Sequence, residues 1–165
     1  MALVDALLPE FDREMSTTRK VLERVPEDKL AWKPHATSTS LGDLATHVAT
    51  IAMWGEMTLT RDEIDPGAAG RADAATSRAQ LLERFDKNVS ATRAALVGRS
   101  DPEMMAQWSL KNSGKTLFTL PKAMVWRSFV MSHLIHHRAQ LAVYLRMLEV
   151  PVPSIYGPSG DENPF

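Results

Sequence analysis

Between Lys122 and Glu149 the chain contains neither glycine nor proline, and Pro121 stands at the head of that run. Proline suits the first position of a helix, where its missing N–H would have no partner anyway, so the run predicts one long helix over 121–149. Stepping about 100° per residue from His133, His137 falls at about 40°, Leu141 at about 80°, Trp126 and Tyr144 at about 20° and His136 at about −60°. His133 and His137 therefore lie inside the apolar stripe and His136 at its edge. Ser128, Ser132, Arg146 and Glu149 take the far side.

Imidazoles at i and i+4 on an inward face stand one helical turn apart, and their ring nitrogens can converge on one ion. The alternative is a pair of core histidines hydrogen-bonded to their neighbours. A third ligand would decide in favour of metal. The chain has no cysteine, which removes disulfides, thiolate ligands, cysteine nucleophiles and iron–sulfur clusters. Any ion must be held by histidine, carboxylate or carbonyl groups.

The third ligand is sought upstream. Ser40-Leu-Gly-Asp43 has the pattern of a capping box that opens a helix. On that helix His47 shares its face with Leu44, Ile51 and Trp54 and so points inward. Three neutral imidazoles with no fourth protein ligand suit an open site whose remaining positions take water or substrate. Leu134 stands where the glutamate of a His-Glu-x-x-His metalloprotease would be, so a general base must come from elsewhere. Asp161 and Glu162 are the candidates. Gln140 and Arg138 could steady neighbouring groups, with a surface salt bridge the expected role of Arg138, and His136 is placed beside the ligands or at an interface.

The rest of the chain frames these helices. At 165 residues it is expected to form a single domain over 1–165. A first helix is predicted over 3–25, on the recurrence of Leu7, Phe11, Met15, Thr18, Val21, Leu22 and Val25, and Pro26 stops it. Leu30, Trp32 and Lys33-Pro34 form an extended connector, with Trp32 plugging one end of the core. Asp65-Pro-Gly-Ala-Ala-Gly70 reads as a mobile crossover connection. A third helix is predicted over 76–97, with Ala79, Leu82, Phe85, Val89, Thr92 and Leu96 as its apolar line and Arg93 and Arg99 near its negative end. Met104 and Met105 read as packing. Residues 108–119 form either a short hairpin or a loop. Gly114-Lys115-Thr116 lacks the earlier glycine of a phosphate-binding loop, since position 109 is Ser. No strand alternation runs far enough for a sheet, and the proline-rich tail over 150–165 lies across one end as a lid. The expected fold is all-α: a four-helix bundle with long crossover loops and an irregular C-terminal tail.

Nineteen basic and twenty acidic side chains leave a net charge of −1, and no like-charge block suggests nucleic acid. No apolar run reaches the roughly 18 residues of a membrane span, and the N-terminus lacks the pattern of a signal peptide. A soluble, cytoplasmic protein is expected.

Leu30-Ala-Trp-Lys-Pro34, Ser40-Leu-Gly-Asp-Leu-Ala-Thr-His47, His133-Leu-Ile-His-His-Arg-Ala-Gln-Leu141 and Val152-Pro-Ser-Ile-Tyr-Gly-Pro-Ser-Gly-Asp-Glu162 follow one another over nearly the whole chain. Together they resemble the DinB superfamily, the damage-inducible, YfiT-like four-helix proteins. The resemblance implies a bundle holding a divalent metal ion, nickel or zinc, on His47, His133 and His137, the three residues that the helical faces select. Ala139 stands where that family commonly has glycine. The resemblance also implies homodimers, and Met131, Ile135 and Ala142, opposite the histidines, fit either a partner surface or a deeply buried helix face. Some relatives resemble thiol-dependent S-transferases acting with a low-molecular-weight thiol, others metal-dependent hydrolases. The expectation is therefore a metal-dependent transferase or hydrolase acting on a small-molecule substrate; the alternative is a non-catalytic metal- or ligand-binding stress-response protein.

Overall fold

The computed structural model describes residues 2–67 and 73–165. Helix α1, Leu3–Leu22, buries Phe11, Met15, Thr18, Val21 and Leu22, the line read from its three- and four-residue steps. After a short 3-10 turn over Glu27–Lys29 the connector folds back on the next helix. Leu41 N–H donates to the Trp32 carbonyl at 2.9 Å and Gly42 N–H to the Leu30 carbonyl at 2.8 Å. Trp32 packs edge-on against Tyr144, with ring centroids 5.4 Å apart.

Helix α2, Leu41–Thr60, starts at Ser40, whose side chain accepts from Asp43 N–H. The Asp43 carboxylate accepts the Ser40 hydroxyl at 2.7 Å in place of the Ser40 N–H, so only the Ser40 half of the expected capping box forms. Twelve of the twenty residues of α2 are buried, which makes it the central helix. Gly55 shows why a small residue is needed there: a Cβ at this position would stand 2.6 Å from Thr92 Cγ2 and 3.0 Å from Trp126 Cζ3.

Strand β1, Glu63–Ile64, follows, then helix α3, Arg78–Leu96, capped by the Ser77 hydroxyl. Its buried face is Leu81, Phe85, Thr92 and Leu96. Leu82 and Val89 of the expected line also pack against the core, whereas Ala79 is exposed and Leu81 is added inside, where α3 meets both α1 and α2. Arg93 pairs with Asp12 of α1 at 2.8 Å, and Arg99 donates to the Ala95 carbonyl at 2.9 Å. In the short helix α4, Asp101–Met105, Met104 is buried whereas Met105 is 53% exposed.

Strands β2, Gln107–Asn112, and β3, Lys115–Pro121, form an antiparallel hairpin. Its tip, Ser113-Gly114, has positive φ at both positions, 50° and 79°, as the twist of a tight hairpin demands. β1 pairs in parallel with β2. The expectation of no sheet is therefore corrected: a three-stranded sheet in the order β1-β2-β3 caps the bundle. A two-residue strand contributes no alternation to read, and Asp65 holds it in place by accepting from Ser113 N–H at 2.9 Å and Gly114 N–H at 2.6 Å. The expected mobility of 65–70 lies, for 68–70, outside the described residues.

One helical rod completes the bundle: α5, Lys122–Val125; a π-helical segment, Trp126–Ser132; and α6, His133–Met147. The core joins α1, α2, α3 and this rod through Phe11, Leu44, Ile51, Phe85, Trp126 and Leu141. Of the three residues opposite the histidines, Met131 is fully buried and Ala142 packs against the core, whereas Ile135 is half-exposed. Among the described residues, no helix is long and apolar enough to cross a membrane.

Arg138 departs most from expectation. It is 1% exposed and forms no surface bridge. Its guanidinium pairs with Glu14 Oε2 at 2.7 Å and donates to the Glu14 carbonyl and Thr18 Oγ1, both at 3.2 Å, and to the Tyr156 hydroxyl at 2.7 Å. Tyr156 in turn donates to Glu14 Oε2 at 3.0 Å. A charge can be buried here because its partners satisfy it. The network ties α1, α6 and the irregular tail together.

Candidate metal centre

His47 comes from the middle of α2, and His133 and His137 from the first turns of α6. All three are half-buried, and one ligand atom from each can be chosen so that all three lie within 4.8 Å of one another. His47 Nε2 and His133 Nε2 are 3.0 Å apart. Two nitrogens on one tetrahedral ion, with bonds of about 2.0–2.1 Å, stand roughly 3.3 Å apart. The spacing therefore fits a shared ion with little adjustment.

The outer nitrogens of two of these rings are already held. His133 Nδ1 lies 3.3 Å from the Phe129 carbonyl, and His137 Nδ1 lies 2.7 Å from Gln140 Oε1. An oxygen without hydrogen can only accept, so Nδ1 carries the proton in both rings and Nε2 keeps its lone pair for the centre. Phe129 lies in the π-helical segment, one turn before His133. The expected steadying role of Gln140 is realised on His137.

Electrostatics favour the same state. Burial lowers the pKa of both His133 and His137; His137 adds to the effect on His133, and His136 depresses both. The Phe129 carbonyl and Gln140 oppose these shifts only in part. Neutral imidazole is the form that binds metal. His136 itself is exposed, its ring 4.8 Å from that of His137.

Beside His47 and His137 a cavity of about 480 Å³ opens, with Thr37, Ser38, Thr39, Gln140 and Tyr144 as its polar lining and Leu44 as its apolar wall. Tyr144 donates its hydroxyl to the Thr39 carbonyl at 3.2 Å and so pins the 33–40 connector to α6. This hydroxyl-bearing wall escaped the sequence reading. The run Thr37-Ser38-Thr39-Ser40 was its only signal, and a run of that kind before a helix reads first as a cap.

Asp161 and Glu162 are engaged elsewhere. Asp161 pairs with Arg146 and accepts from Val152 N–H at 2.8 Å. Glu162 pairs with Arg24 at 2.7 Å and accepts from Ser154 N–H at 3.0 Å. These bonds fold the tail, and neither carboxylate lines the cavity beside the histidines.

The DinB family model matches residues 2–163, and the chain belongs to that family. It is 25% identical over 162 residues to the Bacillus subtilis protein YrdA, spanning 96% of this chain and 91% of that one. Among solved structures it is similar to a DinB-like protein, YjoA, of Bacillus subtilis, with a TM-score of 0.72 and 19% identity over 91% of this chain and 97% of the other. It is also similar to a DinB-like protein of Bacillus cereus, with a TM-score of 0.71 and 20% identity over 92% and 97%. These likenesses establish the fold. Family membership and the cluster of His47, His133 and His137 are compatible with binding of a divalent metal ion.

Proposed function

We propose that this DinB-family chain is a metal-dependent enzyme that holds a divalent ion, nickel or zinc, on His47, His133 and His137 and uses it to transfer a small thiol. The observation that carries the reading is the orientation of the triad: two of its rings are fixed through Nδ1, with Nε2 left for an ion at the edge of a solvent-reached cavity. A bound ion would supply a coordination position at which a small thiol is held as thiolate near neutral pH. The chain's own residues do the rest. His133 and His137 are kept neutral by burial, Gln140 and the Phe129 carbonyl orient the rings, and the connector over 33–40 shapes the space for the thiol's remainder. In the transfer, sulfur forms a bond to an electrophilic carbon, the leaving group departs with its electron pair, and the thiol proton passes to solvent.

Hydrolysis is the second reading: among the described residues no carboxylate lines the cavity to act as a general base, and the nucleophile would be a water acidified by the ion itself. The thiol reading carries with it a cytoplasmic setting, where small thiols stay reduced, and a homodimer that sedimentation would detect.

The test is the metal content of untagged protein, wild type beside the His47→Ala/His133→Ala/His137→Ala variant, followed by thiol-consumption assays against soft electrophiles. About one ion per wild-type chain, lost in a folded variant, with turnover that depends on the ion, supports the reading. An ion with no turnover would leave a binding protein; no ion would remove the centre.

A further inference from the structure

The cavity has a wall whose chemistry can be read. Ser38 and Thr39 line it, and their hydroxyls make no hydrogen bond among the described residues. Gln140 spends its amide oxygen on His137 Nδ1, which leaves its NH₂ group available. Tyr144 spends its proton on the Thr39 carbonyl and keeps its oxygen lone pairs. The wall is pinned: Ser38 N–H donates to the His35 carbonyl at 3.0 Å, and the Trp32 and Leu30 carbonyls hold the start of α2. The backbone that carries these hydroxyls is thus set in place before a ligand arrives.

No side chain of formal charge lines this cavity among the described residues. A carboxylate or phosphate entering it would lose water and gain no cation, and an ammonium would gain no carboxylate. A hydroxyl or amide group would exchange hydrogen bonds to water for hydrogen bonds to Ser38, Thr39 and Gln140. The volume of about 480 Å³ lies in the range of small-molecule sites.

We propose that the cavity beside His47 and His137, walled by the free hydroxyls of Ser38 and Thr39, takes a small ligand whose sole anionic atom is the one facing the histidines and whose remainder is uncharged and bears hydroxyl or amide groups. This rests on the reading of the centre as a thiol-binding metal site. Ser38 and Thr39 then set specificity and do not hold the ion.

Cobalt(II)-loaded protein tests it, titrated with three thiols of one chain length: 1-thioglycerol, 1-propanethiol and 3-mercaptopropionate. The sulfur-to-cobalt charge-transfer band reports binding. 1-Thioglycerol is expected to bind about tenfold more tightly than either of the others, the effect of one or two neutral hydrogen bonds. In Ser38→Ala/Thr39→Val that preference falls to within about twofold while cobalt affinity stays at the wild-type value, which also shows that the variant is folded. Equal affinities in the wild type, tighter binding of 3-mercaptopropionate, or a preference that survives the double substitution would overturn the proposal and leave the thiol site standing. Cobalt bound with no charge-transfer band from any thiol would overturn the thiol reading and this inference together.

Discussion

His47 Nε2 faces His133 Nε2 across 3.0 Å, and His133 turns its Nδ1 to the Phe129 carbonyl at 3.3 Å, so a His133 protonated on Nδ1 can only accept from His47. In the metal-free chain His47 is expected to be the Nε2–H tautomer. An ion in the centre needs that nitrogen bare. Zinc binding should move the His47 proton to Nδ1 while His133 and His137 keep theirs. Nitrogen-15 NMR of the imidazoles with and without zinc reads this directly, and a His47 that is already Nδ1–H without metal would contradict the assignment.

Gln140→Ala should weaken zinc or nickel binding by about 10–100-fold, since it removes the oxygen that fixes the His137 ring. Gln140→Glu should restore binding, because a carboxylate accepts the same proton. Competition with a chelator of known strength measures both. An unchanged affinity in Gln140→Ala would mean that the ring is held by packing alone.

Acid should destabilise the metal-free protein through the same histidines. The folded pKa values of His133 and His137 lie below the ordinary imidazole value of 6.5, so between the folded and unfolded values the unfolded chain binds more protons and stability rises with pH. The metal-free melting temperature should fall as pH is lowered through 6.5 and below, and the slope should flatten in His133→Ala/His137→Ala. The same protons compete with metal, so zinc stabilisation should fade over that interval.

Arg138→Ala should cost about 3–5 kcal/mol, because it leaves the Glu14 carboxylate buried without its cation. Arg138→Met/Glu14→Met, which removes both charges and keeps volume, should recover most of that loss. Urea denaturation of Arg138→Met, Glu14→Met and the pair gives the coupling. Strict additivity would show that the contact at 2.7 Å contributes no coupling energy.

Gly55→Ala should destabilise the bundle by about 1–3 kcal/mol through overpacking, the added methyl forcing apart Thr92 and Trp126. Gly55→Ala/Thr92→Ser, which removes the nearer methyl, should relieve part of it in the same denaturation experiment.

The triad was legible in the sequence because each histidine sits on a helix whose apolar stripe can be counted, and a stripe on α2 facing a stripe on α6 leaves little choice of partner. The helices were legible for the same reason, together with Pro26 and the Ser40 cap. Arg138 was not: an arginine one residue after a histidine of the cluster resembles any solvated helix position, and its partner Glu14 lies 124 positions away. The sheet was hidden because β1 is two residues long and owes its place to Asp65. On α3 the expected line missed Leu81 and included the exposed Ala79, because two neighbours share the helix and widen its buried stripe.

The π-helical segment over Trp126–Ser132 gives the rod an adjustable joint. Turns closed by i→i+5 bonds hold one residue more than α-turns do, so a single-codon insertion or loss can be absorbed there. With the extra residue taken up in the wide turn, Lys122, tied to the Leu59 carbonyl and Asp62 on one side, and His133 and His137 on the other both keep their faces toward the core.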